Sequence, residues 1–216
     1  MKRPDKSGIT AFTLVELLVV VSIMAIVLVY VVPAANNILG GTSITRATQI
    51  VEDQLNLARQ SAISLNRPVE VRFYQYHDPE TSGTDYCFRA LQAWEVVKAN
   101  SFVPLGKVQA LPTGVIMDKG TSSATTTLSS LFYPNGNVNG PPGPAPLPRV
   151  GTQYSYVAIH FTAGAATDLL PTGGPSGSWF LTLHAENSGD GLLTPPPNFV
   201  TIQVDPVSGT LDFFRP

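Results

Sequence analysis

Three histidines, one cysteine and one short acidic run are the residues of this sequence with a claim on metal or nucleophilic chemistry. His77, His160 and His184 lie on three separate segments, and no two of them have helical or hairpin ligand spacing beside an acidic cluster. Tetrahedral zinc needs three or four such donors converging on one point. They therefore read as histidines satisfied within the fold, His160 and His184 being a pair that strands could bring together. Cys87 stands alone, which excludes an intramolecular disulfide and a multi-cysteine zinc site. Beside Phe88 it reads as a small buried hydrophobe rather than a nucleophile. Glu186-Asn-Ser-Gly-Asp-Gly191 offers the oxygens calcium uses but lacks the length and ligand rhythm of an established loop, so a solvated turn is the expectation. No Gly-x-Ser-x-Gly elbow, phosphate loop or dinucleotide fingerprint occurs. No catalytic residue, metal or cofactor is expected, and the chain reads as a non-enzyme.

One more ionisable residue stands in an unusual place. From Phe12 to Val32 the sequence has 21 residues and a single charge, Glu16. As a helix rising about 1.5 Å per residue, that run reaches roughly 30 Å, the hydrocarbon thickness of a bilayer. Lys2, Arg3 and Lys6 against Asp5 make the preceding segment basic, which predicts a cytoplasmic N-terminus and an exported remainder. The expectation is a single-pass anchor. A cleaved secretory signal ending near Pro33-Ala34-Ala35, a plain uncleaved anchor and a buried core helix are the competing readings. Glu16 separates them, because a carboxylate deep in lipid costs about 2.5–3.5 kcal/mol and calls for a partner.

The stretch Phe12-Thr-Leu-Val-Glu16-Leu-Leu-Val19 resembles the type IV prepilin N-terminus, in which Phe-Thr-Leu-x-Glu-Leu-Leu-Val follows the processing site. The resemblance covers the leader and the anchor. It implies that prepilin peptidase cuts between Ala11 and Phe12 and methylates the new Phe12 amine. It further implies that Glu16 pairs with the N-terminal amine of a neighbouring subunit, and that Pro33 is the helix-kinking proline many pilins carry. The family usually has Gly before the cut, whereas this chain has Ala11, and Gly8 lies too early to place Glu16 correctly. Cleavage is expected to be slower for that reason.

The elements that follow are predicted from periodicity. Ile44, Ala47, Val51, Leu55, Ala58, Ala62 and Leu65 recur at steps of three and four, which predicts an amphipathic stalk helix over 36–66 with Gly40-Gly41 as a joint. Thr42 or Ser43 is placed to cap its restart, and Arg67-Pro68 ends it. Alternation predicts half-buried strands over Val69–Tyr76, Tyr86–Val97, Tyr154–Thr162, Ser178–Ala185, Phe199–Val204 and Thr210–Phe214, with a further short strand after Leu111-Pro-Thr-Gly. Asp205-Pro-Val-Ser-Gly209 is a hairpin turn. The Ser/Thr- and Pro/Gly-rich stretch 120–153 is expected to bury little and to form a long surface loop.

The resulting expectation is an α+β fold, pilin-like, with a long N-terminal helix whose first half is transmembrane, packed on an antiparallel β-sheet head. Its parts are a leader (1–11), an anchor (12–35), a stalk (36–66) and a β-rich periplasmic head (67–216). The order of Leu57-Ala-Arg-Gln-Ser-Ala-Ile63, Val69–Phe73, Leu111-Pro-Thr-Gly-Val115 and Ser208-Gly209 resembles GspH/FimT-like minor pseudopilins. Leu65-Asn-Arg-Pro-Val-Glu-Val-Arg-Phe-Tyr74 is also similar to Verru_Chthon cassette prepilin-like proteins.

These resemblances imply a structural subunit of a type II secretion or type IV pilus-like filament. Its partners would be other pilin or pseudopilin subunits, prepilin peptidase, an inner-membrane assembly platform and membrane lipid. The implied location is the bacterial inner membrane, as a single-pass protein with a periplasmic head. The alternative is a membrane-tethered periplasmic binding or enzymatic β domain. Without residues 1–11 the chain keeps 10 basic and 14 acidic residues, a net charge of −4 with no basic stripe, so no nucleic acid partner is expected.

Overall fold

The computed structural model describes residues 12–80, 85–98, 101–121, 127–132, 146–171 and 178–216, without the side chains of 29–40. Ala11 and the side chain of Pro33 lie outside this description. The chain divides between Gly40 and Gly41, at the Gly-Gly pair, into two compact units.

Helical backbone runs over Leu14–Leu65 (α1). Its described side chains form two stretches, 14–28 in the first unit and 41–65 in the second. The first stretch starts with a capping box. The Thr13 backbone N–H and hydroxyl both donate to Glu16 Oε2, at 3.0 and 2.9 Å, and the Glu16 N–H returns a bond to Thr13 Oγ1 at 3.2 Å. That reciprocal pair satisfies donors the first helical turn would otherwise leave open.

The second stretch buries one stripe, Ile44, Ala47, Val51, Leu55, Ala58 and Ala62, while Leu65 is exposed. It ends in a Schellman motif. Asn66 adopts a left-handed φ of 51°, its N–H donates to the Ile63 carbonyl (3.3 Å), and the Arg67 N–H donates to the Ala62 carbonyl (3.2 Å). Pro68 then prevents any continuation.

The second unit is built on one antiparallel sheet of nine strands: β1 Val69–Tyr76, β2 Cys87–Lys98, β3 Ser101–Pro104, β4 Gln109–Ala110, β5 Val115–Met117, β6 Ser155–Phe161, β7 Trp179–Ala185, β8 Phe199–Val204 and β9 Leu211–Phe214. The order is β6-β1-β2-β5-β7-β8-β9, with β3 and β4 also pairing with β2. Val71, Phe73, Leu91, Leu181, Leu183, Ile202 and Val204 meet the helical stripe in one core. Arg59 Nε–H donates to the Ser208 carbonyl (3.0 Å) and Arg215 donates to Thr45 Oγ1 (3.0 Å), tying 41–65 to the β8–β9 hairpin.

Several expectations are corrected. A pilin-like fold in which a long N-terminal helix with a transmembrane first half packs on an antiparallel head is not what the described residues form. Among them no helix is long and apolar enough to cross a membrane. The single-pass inner-membrane location and the transmembrane pilin reading are overturned with it. The body of the second unit is the large sheet instead.

β1 is buried on both faces rather than half-buried, because β3 and residues from 147 to 156 fold over the side away from the helix. The stretch 120–153 is not all surface loop either. Leu128–Phe132 is buried, with the Phe132 ring stacked on Phe88 at 4.2 Å and edge-on to Phe73 at 5.2 Å.

Candidate functional site

The predicted site residues fall in the first unit. Phe12 is exposed just ahead of the helix, and Glu16 is the third helical residue, held by Thr13. The structure brings neither beside a second charged side chain among the described residues. Leu14 to Leu28 leave apolar side chains exposed on every side, from 41% at Val20 to 83% at Leu14. Ser22, a polar residue in this stretch, spends its hydroxyl on the Leu18 carbonyl (2.8 Å).

His160 and His184 are not neighbours, since β6 and β7 are separated by β1, β2 and β5. Each instead closes its own polar cluster. On β6, His160 Nδ1 meets Asp168 Oδ2 at 2.7 Å and Nε2 meets Glu70 Oε2 at 3.1 Å. The Asp168 hydrogen bond, seconded by Glu70 and opposed by burial, raises the imidazole to a pKa of about 9. Glu70 in turn pairs with Arg72. The Arg72 guanidinium is walled by the rings of Trp94 (4.6 Å), Phe102 (4.6 Å) and Tyr156 (4.7 Å) and is 2% exposed. This aromatic cage is thus filled by the protein's own cation.

On β7, His184 Nε2 meets Asp118 Oδ2 at 3.1 Å, and both side chains are wholly buried. Asp118 also accepts from the Gly120 N–H (2.7 Å) and the Leu192 N–H (3.1 Å). Burial opposes its charge, but these bonds win and hold the carboxyl below its ordinary value. In the run 186–191 Glu186 and Asp190 Oδ1 are committed, while Asp190 Oδ2 is buried without a hydrogen-bond partner. Glu186 receives both terminal nitrogens of Arg89, and Asp190 Oδ1 accepts from the N–H groups of Lys119 (2.9 Å) and Gly191 (2.8 Å). Among the described residues no group of three or more His, Cys, Asp or Glu is placed to hold a metal. Cys87 is buried, and burial lifts its thiol to about 11, so it stays protonated and unreactive at neutral pH.

Sequence reasoning missed Arg89, which lines a pocket on the head. A pocket of about 170 Å³ opens beside β2, β4 and β5. Its floor is apolar, formed by Ala90, Val108, Leu111, Val115 and Leu147, and Tyr76, Asp78, Arg89 and Arg149 supply its polar groups. Burial pushes the Tyr76 phenol above its usual pKa, leaving it a neutral hydroxyl. Arg149 is tied to Glu80 beside the opening. Arg89 is buried and bidentate to Glu186 at 2.7 Å, yet its Nε–H has no acceptor. A buried donor without a partner costs about 1–3 kcal/mol, and this Nε is itself sealed from solvent. The sequence signal was slight: a charged residue at the β2 position where the β1 register shifts, between Phe88 and Ala90.

No family model, curated protein or solved structure matches the chain.

Proposed function

We propose that this chain is an assembly subunit of the prepilin type, a minor pseudopilin or minor pilin of a type II secretion or type IV pilus-like filament. One observation carries the reading: the helical stretch 14–28 is apolar and exposed on all sides, with its one charge in the first turn. A helical stretch hydrophobic all round is stable only when covered. Covering it with the same stretch of other subunits meets that need. Prepilin peptidase is the proposed processing partner, acting between Ala11 and Phe12.

Within such a bundle Glu16 has two jobs that can be separated. Its capping bonds to Thr13 stabilise its own helix, and its negative charge pairs with the Phe12 amine of a neighbour. Both charges are costly to desolvate alone, and pairing offsets much of that cost. Glu16→Gln retains the capping box and removes the charge; Glu16→Ala removes both.

The test is mass spectrometry of the mature N-terminus from cells that contain the peptidase, with filament incorporation scored for the two variants. A chain beginning at N-methylated Phe12, with Glu16→Gln as defective as Glu16→Ala, is the expected result. An intact leader, or normal incorporation of Glu16→Gln, would overturn the proposed charge pairing.

A pure binding domain is the second reading, and the Arg89 pocket favours it. Small-molecule sites usually enclose about 300–1,000 Å³, and a pocket of about 170 Å³ falls below that range. Its size suits one anchoring side chain of a partner protein.

A further inference from the structure

We propose that residues 162–169 form a charge-latched strap that holds the two ends of the sheet together, and that it opens as one unit when the latch between His160 and Asp168 is undone. Nothing in the strap depends on the assembly reading above.

The sheet order sets β6 at one end and β9 at the other, six strand steps apart. In a flat sheet, at roughly 4.8 Å per step, that is about 29 Å. The observed approach is far closer. A Cβ on Gly209, in the β8–β9 turn, would come within 3.0 Å of the ring of Phe161, the last residue of β6. The sheet is therefore curled, and Arg59 of the helical stretch 41–65 holds the Ser208 carbonyl of that same turn. β6 and β9 do not pair with each other, so the gap between them is closed by other means.

Residues 162–169 close it. At the β9 end, the Thr167 N–H and hydroxyl both donate to the Pro206 carbonyl, at 2.9 and 3.1 Å. The Ala165 carbonyl abuts Gly209, where a side chain would collide with it. At the β6 end, Asp168 clamps His160. Its N–H donates to the His160 carbonyl (3.0 Å), its Oδ1 accepts the His160 N–H (2.9 Å), and its Oδ2 meets Nδ1 of the ring (2.7 Å). Both backbone groups of His160 on the outer edge of β6 are thus occupied. Ala165 and Leu169 are buried, and Leu169 belongs to the main core.

Two features make this a latch rather than a plain loop. Ala165 has a left-handed φ of 69°, a region disfavoured for any residue with a Cβ. Such a conformation persists only while its surroundings enforce it, so release relaxes Ala165. The second feature is charge. Asp168 from the strap and Glu70 from β1, with Arg72 behind Glu70, are the charged groups that face the imidazole. Those two carboxylates keep it protonated to about pH 9, and its side chain is 38% exposed, within reach of solvent. Lifting the strap uncovers Phe161 and frees the His160 N–H and carbonyl, which turns that part of β6 into an open edge that another strand can join.

The experiment is residue-resolved amide hydrogen exchange on the full chain in mild detergent, at pH 7 and pH 10, with rates corrected for base catalysis. The reporters are the N–H groups of Thr167 (on Pro206), Asp168 (on His160) and Gly209 (on Asp205). At pH 7, Asp168→Asn should speed exchange at all three by at least about tenfold, the effect of losing one hydrogen bond to a charged group, while amides of β2 and β7 keep their rates. Raising the pH to 10 should do the same to the native chain, with a much smaller further rise in Asp168→Asn. Unchanged rates at the three reporters, or faster exchange throughout the sheet, overturns the strap as a separate opening unit. Faster exchange at Thr167 and Asp168 with Gly209 unmoved overturns the tie between the sheet ends. A native chain whose reporters do not respond between pH 7 and 10 overturns the charge latch.

Discussion

Arg89 and Glu186, 97 positions apart, meet through two parallel bonds of 2.7 Å, joining β2 to the turn after β7. The two ends are not equivalent. The Arg89 side chain is 6% exposed and that of Glu186 is 23% exposed. The carboxylate can turn to water if its partner is lost, whereas the guanidinium cannot. Glu186→Ala is therefore expected to cost about 3–5 kcal/mol, the range for stranding a buried charge. Arg89→Met, which keeps the volume and removes the charge, should cost clearly less. Urea denaturation of both variants checks the order, and equal midpoints would contradict it.

A pH dependence follows from His160. Its Asp168 and Glu70 hydrogen bonds raise its pKa to about 9 from an ordinary value of 6.5. The folded state therefore holds the proton more tightly than the unfolded chain. The associated stability is fully present below about pH 6.5 and is lost as pH rises through about 9. Asp168, Glu70 and, behind Glu70, Arg72 are the charged groups around it. Melting temperatures of the native protein should fall between pH 6.5 and 9, and His160→Gln should flatten that fall. An unchanged slope in the variant would assign the effect elsewhere.

Two glycines with left-handed backbone make a matched pair. Gly114 has φ of 81° and open space where a Cβ would stand. Gly209 has φ of 65°, and a Cβ there would press into the Ala165 carbonyl oxygen and come within 3.0 Å of the Phe161 ring. Gly114→Ala should cost only the backbone term, about 1–2 kcal/mol. Gly209→Ala adds a collision with main chain that cannot yield cheaply, so its melting temperature should drop further. Equal effects in thermal unfolding would remove the close approach from the account.

Much of the second unit was legible because its pattern is strictly periodic. Ile44 to Ala62 at helical spacing, and the alternation of Val69 to Phe73 and of Val200 to Val204, specify buried faces directly. The polar side of β1 misled for a physical reason. Glu70 and Arg72 stand at positions where alternation predicts solvent, but Phe102, Trp94 and Tyr156 come from other segments to cover them. No local pattern records that cover.

The Thr13-x-x-Glu16 capping box is legible in the sequence, as a Thr followed three residues later by Glu ahead of an apolar run. The Arg89 pocket depends on a register shift and on residues about 60 positions away, such as Leu147 and Arg149, so spacing alone could not locate it.

The last case is Phe132, in a stretch whose composition reads as exposed loop. Its ring is stacked on Phe88, and it is fully part of the core with Leu131. The backbone there is held as well: the Leu131 N–H donates to the Phe180 carbonyl (3.0 Å), and the Ser130 hydroxyl donates to the Ser178 carbonyl (2.7 Å). These bonds fix Phe132 over β2, so the segment cannot collapse into a vacated space. Phe132→Ala should then sit in the usual range for a buried aromatic, about 3–5 kcal/mol, whereas Phe132→Leu should recover more than half of that. Denaturant midpoints of the two variants decide it. A cost for Phe132→Ala below about 1 kcal/mol, the scale of a surface substitution, would return this segment to the loop its composition suggests.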